Sequence, residues 1–96
     1  MTNMQKKKCE QIMAHYGRGN QLDILQEECA EVIQAVSKVR RGTQGADEHF
    51  LDELADVSIM VEEFVSDMDD DEKTDYYKKI NAKLDRQLDR IAKGAF

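Results

Sequence analysis

Apolar side chains recur every three or four positions along most of this chain, the period of a helix that turns one face to a core. Leu22, Leu25, Cys29, Val32, Val36 and Val39 form one stripe, and Tyr77, Ile80, Leu84, Leu88 and Ile91 form another. Turn chemistry separates the stripes at Gly17-Arg18-Gly19-Asn20, at Gly42-Thr43-Gln44-Gly45 and at the acidic run from Asp67 to Asp71. Glycine after a periodic stretch is a common helix stop, because it takes positive φ without a Cβ clash. The pattern predicts helices at about 3–16, 20–41, 47–66 and 70–93. Asp69-Asp70-Asp71-Glu72 puts negative charge on the first turn of the last helix and Lys93-Gly94 ends it, as the helix dipole favours. Strand patterns and glycine-rich phosphate loops are missing from the sequence. Short connections between long amphipathic helices favour antiparallel neighbours, so the expected fold is all-α, a four-helix bundle.

The third helix breaks the amphipathic rule. Phe50, Leu51, Leu54, Ala55, Val57, Ile59, Met60, Val61, Phe64 and Val65 spread around most of its circumference. A helix apolar nearly all round is a buried helix, and three partners from one small chain hardly enclose it. Assembly into a homo-oligomer through this helix is the natural expectation.

Composition adds three constraints. The 96 residues make a single domain, 1–96, with 41% apolar and 35% charged side chains, the balance of a globular protein. A net charge of −6 disfavours binding to nucleic acid backbones, which needs clustered lysine and arginine. A small phosphorylated ligand remains compatible with that charge if metal ions supply local positive charge. Cys9 and Cys29 have no short pairing motif, and Cys29 falls on the apolar stripe, so it reads as a reduced core residue. The polar, basic start (Lys6, Lys7, Lys8) resembles no signal peptide, and no apolar stretch is long enough for a membrane. The expected location is the cytoplasm, with no membrane partner.

The unusual feature is where the carboxylates fall. Glu28 lies roughly 60° from the middle of the second helix's apolar stripe, and Glu31 about 120° away, one turn further on. Glu27 sits nearly opposite the stripe. Glu53 and Asp56 repeat the three-residue spacing on the over-apolar third helix. On facing helices the two pairs would gather four carboxylates at the edge of the core. Such groups repel and raise each other's pKa values unless a divalent cation is bound. Oxygen-only ligation suits Mg²⁺ or Mn²⁺. A solvated helix surface is the bland alternative, and for Glu27, Glu62 and Glu63 it is the preferred one. A di-iron bundle would carry Glu-x-x-His on two helices, but neither His15 nor His49 lies three residues after a glutamate. His15 reads as a partly buried polar residue.

Glu27-Glu28-x-x-Glu31, a spacer over 32–52, and then Glu53-x-x-Asp56 resembles the signature of the MazG-like all-α nucleotide pyrophosphohydrolase superfamily. Gln21-Leu22, Ala30-Glu31-Val32-Ile33-Gln34-Ala35 and Arg41-Gly42 look like the surroundings of that motif in small single-domain members. Asn81-Ala82-Lys83-Leu84-Asp85-Arg86 stands where the superfamily places basic side chains on its last helix. The resemblance covers about residues 16 to 92. It implies hydrolysis of a nucleoside triphosphate, NTP or dNTP, to the monophosphate and pyrophosphate. Mg²⁺, or Mn²⁺ in its place, would be held by Glu28, Glu31, Glu53 and Asp56. One of Glu27, Glu28 and Glu31 would be the base, Lys83 and Arg86 would approach the phosphates, and the chain would form a dimer or tetramer. Some members carry a lysine one turn before the Glu-x-x-Asp pair; here that position is His49. Two alternatives stand beside this reading: a narrower dUTP or dCTP pyrophosphatase, and a non-enzymatic helical module that binds a partner through the third helix. His15, Tyr16 and Gln21 are near enough in sequence to line a base pocket, although capping and core packing are the plainer roles.

Overall fold

The computed structural model describes residues 1–94. Four helices follow one another, α1 (Asn3–Tyr16), α2 (Arg18–Arg40), α3 (Ala46–Ser66) and α4 (Asp70–Ala92), and no strand occurs among the described residues. The chain is all-α, as the periodicity indicates. No helix among the described residues is long and apolar enough to cross a membrane.

Local chemistry sets the ends of these helices. Thr2 and Gln5 form a reciprocal capping box at the start of α1, and Asp69 and Glu72 form another at the start of α4. The first corner is tighter than the sequence suggests. Gly17 makes it alone, at φ 83° and ψ 157°, and Arg18, Gly19 and Asn20 are already helical. One residue with that backbone conformation is enough to redirect the chain, so the expected four-residue break is not needed. α2 ends at Gly42, φ 70°, in a Schellman arrangement: Thr43 N–H donates to Lys38 C=O at 3.1 Å and Gly42 N–H to Val39 C=O at 3.0 Å.

α2 and α3 pack along their length as a hairpin, α1 lies against α3, and α4 leaves the other three. Every residue from Asn81 to Gly94 is exposed. The core is small: Cys9, Met13, Ala35, Ala46, Met60 and Val65, joined by the polar Gln21, Glu53 and Glu63. The chain exposes 7623 Å², whereas a compact monomer of its 11.1 kDa exposes about 5,700 Å². Its radius of gyration is 16.3 Å, against about 12–13 Å for a compact domain of this length.

Much of the excess surface is apolar and lies on α2, α3 and α4. Leu51 is 67% exposed, Ile33 69%, and Leu22, Val36, Leu54, Ile59, Val61, Leu84, Leu88 and Ile91 are exposed as well. α3 is therefore not enclosed within the single chain, as expected for a helix apolar nearly all round in so small a chain. Cys29 is exposed and not a core residue, as are Leu22 and Val36 on the same stripe. The buried thiol is Cys9. Its pKa is pushed up by burial and then by the carboxylates of Glu63 and Glu62. His15 is exposed too, edge-on to Tyr16.

Candidate metal centre

The α2–α3 hairpin has a register that can be read from three contacts. Gln21 meets Glu63, Glu28 meets Asp56, and Glu31 meets Glu53. Numbers rise on one helix as they fall on the other, so the helices are antiparallel. Gln21 and Glu28 are one heptad apart on α2, and so are Asp56 and Glu63 on α3. Seven residues are close to two helical turns, which keeps these side chains on one seam. Ala35, the next heptad position on α2, is fully buried.

In the middle of this seam one carboxylate oxygen from each of Glu28, Glu53 and Asp56 lies within 4.8 Å of the other two. Glu53 is buried, Glu28 half-buried and Asp56 exposed, so the cluster runs from the core to solvent. Oε2 of Glu28 and Oε2 of Glu53 are both buried and have no hydrogen-bond partner. Glu31, at the rim, lies close enough to Glu53 to push the Glu53 carboxyl's pKa up. All four carboxylates singled out by the sequence are thus together. Glu27 is exposed beside them and adds to the negative field on Glu28.

The electrostatic consequence is strain. The Glu28 carboxyl is pushed above its ordinary range, first by desolvation and then by Asp56, Glu31, Glu53 and Glu27. Desolvation leads for Glu53 as well, followed by Glu31, with Asp56 adding to the rise and His49 opposing it. His49 Nε2 lies 3.6 Å from Glu53 Oε1, one turn away on α3. Orphaned buried carboxylate oxygens cost free energy that a hydrogen bond or a cation would recover. Oxygens around one Mg²⁺ at 2.0–2.1 Å sit no more than about 4.2 Å apart. The three clustered oxygens need only a small adjustment to meet that geometry, and their donor set is the one this ion prefers.

Lys83 and Arg86 are not brought to this cluster within one chain. Both are exposed on the part of α4 that leaves the other helices. Gln21 takes a structural role: its Nε2 donates to Glu63 Oε1 at 2.7 Å, and its Oε1 accepts from Asn20 Nδ2 at 2.8 Å. Glu63, read from sequence as a solvated or interface charge, is only 1% exposed. The heptad step from Asp56 was the signal that would have placed it on the seam. A cleft of about 350 Å³ lined by Lys6, Glu10, Glu62, Ser66, Lys73 and Tyr77, and an apolar one of about 230 Å³ around Met1, Cys9, Ile12 and Ile59, contain none of the clustered carboxylates. No family model matches the chain, and neither does any curated protein or solved structure. The functional reading therefore rests on these residues and their geometry.

Proposed function

We propose that this chain is a Mg²⁺-dependent nucleotide pyrophosphohydrolase that cleaves an NTP or dNTP to the monophosphate and pyrophosphate. The observation that carries the reading is the cluster of Glu28, Glu53 and Asp56, in which Glu28 and Glu53 each keep a buried oxygen without a hydrogen-bond partner. Structural carboxylates in a core find donors; these face one another. Glu28, Glu53 and Asp56 would hold the metal, with Glu31 completing the set. Mg²⁺ (or Mn²⁺) bound there would supply charge to neutralise the triphosphate and to lower the pKa of a water. One of Glu27, Glu28 and Glu31 orients the attacking water and accepts its proton. Attack on phosphorus expels pyrophosphate, whose charge Lys83 and Arg86 stabilise. Restriction to dUTP or dCTP is the narrower form of the same proposal.

The working unit is a homo-oligomer, at least a dimer. The excess exposed surface of roughly 2,000 Å² per chain matches what an obligate interface buries. The open apolar face of the α2–α3 hairpin, with Leu22, Val36, Leu54 and Val61, completes a four-helix bundle against a second copy. α4, free in its own chain, then packs its Leu84–Leu88–Ile91 stripe on the partner and delivers Lys83 and Arg86 there.

Pyrophosphate release from a panel of canonical and modified NTPs and dNTPs tests the reaction. Some nucleotide should give monophosphate and pyrophosphate on ion-exchange chromatography, and EDTA should stop it. Orthophosphate with nucleoside diphosphate as the main products would sink the assignment.

A further inference from the structure

We propose that His49 is a positioning residue: its imidazole fixes one oxygen of Glu53 so that the other, Oε2, is presented to the metal. The proposal rests on the reading of the acidic cluster as a metal centre and adds a residue to it. His49 Nε2 stands 3.6 Å from Glu53 Oε1, while Oε2 of the same carboxylate is buried without a partner. The two oxygens of one carboxylate therefore have unlike surroundings, one beside a nitrogen and one buried without a hydrogen-bond partner, in a residue that clusters with Glu28 and Asp56.

That asymmetry has a mechanical meaning. The last torsion of a glutamate is broad and nearly two-fold, so a free carboxylate turns and exchanges its oxygens. A donor on one side removes that freedom and leaves the carboxylate a one-oxygen ligand of fixed direction. The separation is long for a hydrogen bond and within reach of an ion pair. A small change of side-chain torsion closes it, and such contacts commonly tighten when a site is loaded. His49 is not among the residues whose oxygens cluster, so it acts through Glu53. Its own side chain is 45% exposed and supports little of the core. Hydrogen-bonded partners of ligating groups typically contribute 10–100-fold to metal affinity.

Mn²⁺ binding to the full chain without nucleotide, followed by the loss of the free-ion paramagnetic resonance signal, tests this. His49→Ala should weaken Mn²⁺ binding by about 10–100-fold. Helix content should not fall, since alanine is the better helix former at a half-exposed site. His49→Gln, whose amide nitrogen can stand near the place of Nε2, should restore affinity close to wild type. Equal affinity in wild type and His49→Ala would overturn the proposal and leave the metal centre intact. So would a raised KM for nucleotide with unchanged Mn²⁺ affinity, which would make His49 a phosphate contact. A glutamine variant no better than alanine also overturns it. Wild type that binds no Mn²⁺ at all removes the metal centre and this proposal together.

Discussion

Two glutamates on α3, ten residues apart in sequence, are both buried among the same helices and live in opposite chemical worlds. Glu63, at the end where Gly17 turns the chain into α2, accepts a hydrogen bond from Gln21 Nε2. Glu53, nearer the other end, faces Glu28, Glu31 and Asp56, and one of its oxygens has no partner. The first arrangement is closed and locks α2 to α3. The second leaves an oxygen without a hydrogen-bond donor among the described residues. A buried carboxylate is thus uninformative by itself; what faces it separates a clamp from a binding site.

The comparison breaks most sharply in activity. Glu53→Gln should lower kcat by at least about 100-fold, since it removes a charged ligand and keeps the volume. Its melting temperature in EDTA should not fall. At the Glu63 end the signs reverse. Gln21→Ala leaves a buried carboxylate without its donor and should cost about 2–4 kcal/mol of stability, read by urea unfolding. The fraction that stays folded should keep its turnover. If Gln21→Ala abolished activity in fully folded protein, the two ends would not be functionally distinct.

Assembly sharpens the same contrast, because the metal end is proposed to borrow residues and the clamp end is not. Lys83→Ala and Arg86→Ala should each reduce kcat/KM by about 10–1000-fold, the loss of a phosphate contact. If these residues act across the interface, mixing inactive Glu53→Gln with inactive Arg86→Ala should recover activity, since one site of the mixed dimer has every part. No recovery after subunit exchange would return α4 to its own chain. Val61→Asp, at a residue 40% exposed in the single chain, should dissociate the oligomer by sedimentation and remove activity. Val65 is a poorer probe, since it is already buried within the chain.

How legible these two ends are from sequence differs for a physical reason. The helices and the acidic quartet follow from short-range periodicity: three-residue spacings on apolar helices put Glu28, Glu31, Glu53 and Asp56 at one edge. Glu63 is legible only through its heptad step from Asp56, since its neighbours in sequence give no sign of burial. Its burial depends on Gln21, which is distant in sequence, and only the helix register joins them. Cys29 misled in the opposite sense. Periodicity says which face seeks cover, and it does not say whether the cover comes from the same chain. The capping boxes at Thr2 and Asp69 fix helix starts that periodicity leaves loose.

The smallest expected effect is the most diagnostic of the difference between the two glutamates. Glu28 and Glu53 have folded-state pKa values raised above those of the unfolded chain, by burial first and by neighbouring carboxylates next. A raised folded pKa means that the native state holds its proton more tightly than the unfolded state does. Their stabilising contribution is therefore complete below the ordinary glutamate value of about 4.3 and is lost as pH rises through the raised values. In EDTA the wild type should lose stability over that window, and Glu53→Gln, which cannot ionise there, should lose less. The difference in melting temperature, variant minus wild type, should grow as pH rises from about 4 toward neutrality. Mg²⁺ added at neutral pH should then reverse the order. Ligand at 100 times its Kd stabilises a native site by about 2.7 kcal/mol, and only the intact quartet collects that in full. Parallel pH profiles for wild type and Glu53→Gln, unmoved by Mg²⁺, would mean that the orphaned oxygens carry no strain, and the distinction between the two glutamates would reduce to burial.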